Sequence, residues 1–135
     1  MSPNSQARIT GVGVALPDNV VTNDMLADKV DTSDDWIIER TGIRQRHIGG
    51  TTAGLATEAG RQAIERSGID PQSIDLVLLA TTTPDRRVPA TASTVQHELG
   101  ISCGAVDLNA ACSGFAYSLI AAHGFIAMGH EKVLV

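Results

Sequence analysis

Hydrophobic and polar positions change period repeatedly along the chain. Residues 8–16 (RITGVGVAL) predict a strand closed by Pro17, Asp18 and Asn19. Thr22 or Asn23 can cap a short helix through Val30, and Thr32 or Ser33 a second over Asp34 to Arg40. There Asp34 and Asp35 suit the positive first turn and Gly42 supplies the stop. Residues 43–48 (IRQRHI) alternate loosely, as in an exposed strand or extended arm. The clearest helix is 52–67: Leu55, Ala59 and Ala63 recur four apart, as do Ala56, Gly60 and Ile64, with Glu58, Arg61, Gln62 and Glu65 outside. Gly68 and Ile69 end it.

Pro71 and Asp75 frame a turn into residues 74–81 (IDLVLLAT), whose unbroken apolar run predicts a strand covered on both faces. A loop over 82–89 leads to a helix from about Ala90 to Leu99, stopped by Gly100. Gly104–Leu108 is a short strand. A turn of small residues (Asn109 to Ser113) then opens a helix from about Gly114 to Met128, apolar on nearly every side and so expected between layers. Another strand begins at Lys132. This alternation predicts an α/β domain with helices on both sides of a largely parallel sheet. Because the last strand breaks off at Val135, residues 1–135 read as one domain, apparently truncated.

Composition adds one constraint. Only Trp36, Phe115, Tyr117 and Phe125 are aromatic, so the core must come from closely packed Ala, Val, Ile and Leu. A formal charge of −5 argues against general nucleic-acid binding, which needs a cationic face. Charge is unevenly placed. Seven acids lie between Asp18 and Glu39 against Lys29 alone, and Arg40, Arg44 and Arg46 follow with no acid among them. That triplet is either an anion site or three solvated arginines.

The first ten residues lack the basic start and apolar run of a signal peptide. Residues 108–130 carry no formal charge over a bilayer-spanning length, yet Asn109, Ser113, Ser118, His123 and three glycines interrupt them; a buried helix is expected, with no membrane. Gly11 and Gly13 make half a dinucleotide fingerprint, but the third glycine is missing, so close backbone packing explains them better. Cys103 and Cys112 are separated by a strand, too far apart for a disulfide, which fits a reducing, cytoplasmic setting. No metal-ligand spacing is present.

Cys112 carries the candidate chemistry. It sits where a strand ends and a helix begins, and backbone N–H groups there can stabilise a thiolate or an oxyanion. Its small neighbours Ala110, Ala111, Ser113 and Gly114 leave the sulfur open to a bulky carbonyl substrate. From placement alone it is equally a packed core thiol. A nucleophile here needs further groups, since acid–base assistance is worth about 10² to 10⁴ and each oxyanion donor about 10² to 10³. His47, His97, His123 and His130 are the local histidines. His123, eleven residues along the same helix, lies about 16 Å up its axis.

Three separated segments make a family resemblance specific: DTSDDWIIERTGIRQRHI (31–48), LVLLATTTPD (76–85) and DLNAACSGFAYSL (107–119). In family order and spacing from about residue 8, the chain resembles the N-terminal half of β-ketoacyl-acyl-carrier-protein synthase III. The resemblance implies the layered αβαβα thiolase fold, a homodimer, and decarboxylative condensation that initiates fatty-acid synthesis, with no cofactor. It implies that Cys112 takes a short acyl group from acyl-CoA and that malonyl-acyl-carrier protein supplies the second carbon unit. Trp36 would stack on the CoA adenine, Arg40 contact the nucleotide, and Thr32 line the same site. Val88 falls where some members place a Phe that reaches the partner subunit's acyl pocket, so longer primers than acetyl are expected to fit. The family's active-site His and Asn come from its C-terminal half, absent here, so residues 1–135 alone are expected to be inactive. Two other readings stay open: a non-catalytic acyl-CoA-binding or dimerisation module, and a condensing enzyme of polyketide or quinolone synthesis.

Overall fold

The computed structural model describes residues 7–135, which form two compact units, one from residues up to Ala15 with Thr51–Val135 and the other Leu16–Gly50. Each is built around different local signals.

The larger unit centres on a three-stranded parallel sheet. β3 (Leu76–Ala80) lies between β4 (Gly104–Leu108) and β5 (Val133–Leu134), with Leu76 opposite both Gly104 and Val133. Leu76, Val77 and Leu78 are all buried, as expected of a strand covered on both faces. One face packs with Ile74, Ala92 and Ile101, backed by Ile64 and Leu99; the other packs against Ala122 and Phe125 of α5 (Gly114–Ala127). The covering helices α3 (Thr52–Ser67) and α4 (Thr91–Glu98) match their expected spans closely. Thr51 caps α3 through the Gly54 N–H, and Gly68 (φ +66°) ends it.

Three expectations change. Residues 8–16 form no strand, because no ladder partner stands beside them among the described residues. The segment lies instead on α3: Arg66 donates to the Val12 carbonyl at 2.6 Å and the Val14 N–H donates to Gln62 at 3.4 Å. Gly11 and Gly13 do serve close packing, since a Cβ on Gly13 would stand 1.8 Å from the Ala59 carbonyl oxygen. The expected stripe of α3 is half-buried and its Gly60 fully so, but the buried centre also takes in Ala53 and Thr57, whose hydroxyl is satisfied by Glu98 at 2.8 Å. Lastly, α5 buries only Gly114, Ser118 and Ala122. Phe115, Tyr117 and Ile120 are exposed, since no second layer covers them within the described residues. Among the described residues no helix is long and apolar enough to cross a membrane.

Carboxylates fix the connections. Asp107 accepts the Thr91 and Ala92 N–H groups at the start of α4 at 2.8 and 2.7 Å, and Asp85 accepts those of Thr52 and Ala53 at the start of α3, each at 2.9 Å. Asp75 accepts from Lys132 and Glu131 at 2.9 and 2.7 Å, which ties β5 to β3. These two backbone bonds hold the Asp75 carboxyl below its ordinary value. A lowered folded value stabilises fully above the ordinary Asp range of about 3.9 and is lost as pH falls through the folded value. Amide exchange at Glu131 and Lys132 of the full-length protein is therefore expected to rise selectively below about pH 4, and Asp75→Asn should show the faster exchange at neutral pH. Identical exchange in the two proteins at pH 7 would count against the clamp.

The smaller unit contains β1 (Val20–Thr22), α1 (Asn23–Ala27), α2 (Asp34–Thr41) and β2 (Gln45–His47). β1 and β2 pair antiparallel, Val21 opposite Arg46. The expected helix to Val30 stops at Ala27, Thr22 caps it, and β1 was not anticipated. α2 follows expectation: Ser33 caps it through the Trp36 N–H at 3.2 Å, and Gly42 (φ +71°) ends it.

Candidate active site

In the larger unit, β4 delivers the chain into a single 3₁₀ turn, Ala111–Ser113, that runs directly into α5. Ala111 has φ +45°, a left-handed conformation that disfavours any residue with a Cβ and is stored where surrounding structure enforces it. The Asn109 side chain accepts the Ala111 N–H at 3.3 Å, and the Ser113 N–H donates to the Ala110 carbonyl at 3.0 Å. Cys112 is carried outward on this turn and is exposed. The packed-thiol reading therefore does not hold within the described residues.

Helices α1, α2 and α3 each have a side-chain cap and α4 has Asp107; at the turn before α5 the Ala111 N–H is taken by Asn109, and no side chain caps α5 itself. Around Cys112 the N–H groups of Ala111, Ser113 and Gly114 are held by Asn109, Ala110 and Ala111, which fixes the turn and leaves the thiol exposed upon it. Cys112 also borders an open groove of about 1200 Å³ whose walls include residues 7–13, β3, Phe115, Leu119 and His123.

Cys103 contrasts with it. Burial, and secondarily the Asp75 charge, push its thiol up, and its sulfur donates to the Gly104 carbonyl at 3.3 Å. A small alkylating reagent at neutral pH should modify Cys112 of the full-length protein about tenfold or more faster than Cys103. Equal rates at the two sites, read by peptide mapping, would contradict this.

The smaller unit holds Thr32, Trp36 and Arg40. Trp36 is 52% exposed, and the Arg40 guanidinium lies over its ring at 4.6 Å from the centroid. One helical turn apart, they present a flat apolar surface and a cation side by side. The Thr32 hydroxyl is buried and finds no partner among the described residues. Arg46 is not a free cation, because it donates to the buried Asn23 at 2.9 Å; the arginine triplet shrinks to Arg40 and Arg44. His47 contacts the Pro17 carbonyl at 2.6 Å, and His130 packs edge-on to Phe125. Val88 is 83% exposed on the 82–89 loop.

The family model described as 3-oxoacyl-[acyl-carrier-protein (ACP)] synthase III matches residues 106–135, the stretch that includes the Cys112 turn. A β-ketoacyl-[acyl-carrier-protein] synthase III from Erythrobacter litoralis is 54% identical over 94% of this chain, and one from Methylococcus capsulatus is 52% identical over 96%. The chain belongs to the β-ketoacyl-acyl-carrier-protein synthase III family. It spans 41% and 42% of the length of those two relatives. The fold agrees: the crystal structure of 3-oxoacyl-[acyl-carrier-protein] synthase III from Aquifex aeolicus superposes with a TM-score of 0.91 at 45% identity, over 95% of this chain and 43% of that one. A priming β-ketosynthase from a polyketide biosynthetic pathway superposes at 0.80 with 38% identity, over 86% of this chain and 36% of that one. The α/β unit has the thiolase-like layered fold of this family and matches its N-terminal part.

Proposed function

We propose that the full-length protein is a condensing enzyme that uses Cys112 as its nucleophile. The Cys112 thiolate attacks the carbonyl of a short acyl-CoA, the tetrahedral oxyanion forms near the positive N-terminal end of α5, and the CoA thiolate leaves, taking up a proton. Malonyl-acyl-carrier protein then loses carbon dioxide, and the electron pair of the broken bond attacks the acyl carbonyl. Cys112 leaves as thiolate and a β-ketoacyl-carrier protein is formed, the priming step of fatty-acid synthesis. The acid–base groups for this second step come from outside residues 1–135. Trp36 and Arg40 hold the nucleotide end of the CoA, with Thr32 beside them, and Val88 shapes the acyl pocket of a partner subunit in a homodimer. No cofactor is needed, because both substrates arrive as activated thioesters.

The observation that carries this reading is the exposed Cys112 on the turn that opens α5, next to a left-handed alanine. Acyl-CoA incubated with the full-length protein should add one acyl group to the intact mass, and peptide mapping should locate it on Cys112. An acyl group on Cys103, or none at all, would favour a non-catalytic module. The likeness to a polyketide priming enzyme supports a second reading of pathway with the same chemistry; assaying malonyl thioesters of fatty-acid and polyketide carrier proteins separates the two.

A further inference from the structure

We infer that Asn23 is a positioning residue for the nucleotide of the acyl donor, an assignment that rests on the reading of Trp36 and Arg40 just given. Helix α2 carries both, yet it has eight residues and buries only Ile37. A helix this short has little stability of its own, and one isoleucine is a poor anchor against rotation or translation. Its placement must come from polar contacts at its ends.

Asn23, 1% exposed, makes two of them and a third hydrogen bond to β2. Its amide nitrogen donates to Asp34 Oδ1 at 2.7 Å, at the first residue of α2, and to the Ile43 carbonyl at 2.8 Å, two residues beyond the last. Its amide oxygen accepts from Arg46 on β2 at 2.9 Å. One buried side chain therefore ties the start of α2, the chain beyond its end and the neighbouring strand, with both donors and its oxygen in use.

The same amide links a cation to an anion: Arg46 polarises its carbonyl, and its N–H faces the Asp34 carboxylate. This matters because Asp34, Asp35 and Glu39 share α2 with Arg40, and a free carboxylate close to a bound phosphate is repulsive. Engaging Asp34 inward leaves Arg40, stacked on the indole, to meet the anion. At the other end, Thr41 donates to the Ile37 carbonyl at 2.7 Å and accepts the Ile43 N–H at 3.1 Å, which fixes the turn whose carbonyl Asn23 grips.

The test uses the full-length protein and two donors, acetyl-CoA and acetyl-pantetheine, which lacks the nucleotide. Acylation of Cys112 is followed by intact mass. Asn23→Ala should raise the acetyl-CoA concentration for half-maximal rate about tenfold, the loss expected for one strong hydrogen bond. The maximal rate, and both constants for acetyl-pantetheine, should stay within about twofold. Asp34→Ala should share the effect, and Asp34→Asn, which keeps an acceptor for the amide, should restore most of it. If Asn23→Ala does not fold, the Asp34 pair carries the test alone. Equal losses with both donors, or no loss in either folded Ala variant, would overturn the positioning role. Trp36→Ala separates the two levels: without a loss selective for acetyl-CoA in that variant, the nucleotide reading itself fails.

Discussion

Cys112→Ala is expected to lower condensation turnover of the full-length protein by roughly 10⁴-fold or more, while leaving its stability close to that of the parent. The first half follows from chemistry. Removing the nucleophile of a covalent mechanism removes the intermediate, and only binding and oxyanion stabilisation remain to assist any direct reaction. The second half follows from position. Cys112 is exposed, so its sulfur fills no cavity, and the turn that carries it is held by Asn109, Ala110 and Ser113 rather than by the thiol. Cys112→Ser should show nearly the same loss, because a serine hydroxyl is intrinsically a far weaker nucleophile than a cysteine thiol. Residual turnover above roughly 1% in either variant, with the thioester adduct lost, would mean that the acyl group reaches the carrier protein without passing through position 112.

Local signals made part of this readable from sequence. Both ends of α3 were legible because Thr51 and Gly68 lie beside the helix they bound, and Cys112 was legible because a strand, a run of small residues and an apolar helix are consecutive in the chain. What depends on distant partners was not. The strand expected at 8–16 needs a ladder neighbour that no local pattern encodes. The burial of Thr57 depends on Glu98, 41 residues later, which supplies its hydrogen bond. Arg46 counted as a free cation until Asn23, 23 residues earlier, engaged it. The left-handed backbone at Ala111 leaves no trace, since alanine is not a residue that announces that conformation. Asn23 itself read only as a possible helix cap, although a short acidic helix bearing a lone tryptophan and burying one residue could have prompted a search for its anchor.

Gly13→Ala is expected to be the most disruptive single-methyl change in the larger unit. Its added Cβ would stand 1.8 Å from the Ala59 carbonyl oxygen and 2.9 Å from the Ala63 nitrogen, and both are backbone atoms of a sixteen-residue helix. No rotamer change relieves a contact with backbone. Either residues 8–16 lift away, losing the Arg66 and Gln62 bonds, or α3 shifts and disturbs its packing against α4. We expect a loss of about 4 kcal/mol or more, enough to remove most folded protein from a domain of ordinary stability. Gly68→Ala provides the comparison. Nothing lies within 4 Å of its Cβ position, but its φ of +66° penalises a side chain, so the cost should be about 1 kcal/mol. Denaturant unfolding of the two full-length variants distinguishes steric exclusion from backbone preference. If Gly13→Ala cost no more than Gly68→Ala, residues 8–16 would not be seated on α3 as the structure places them.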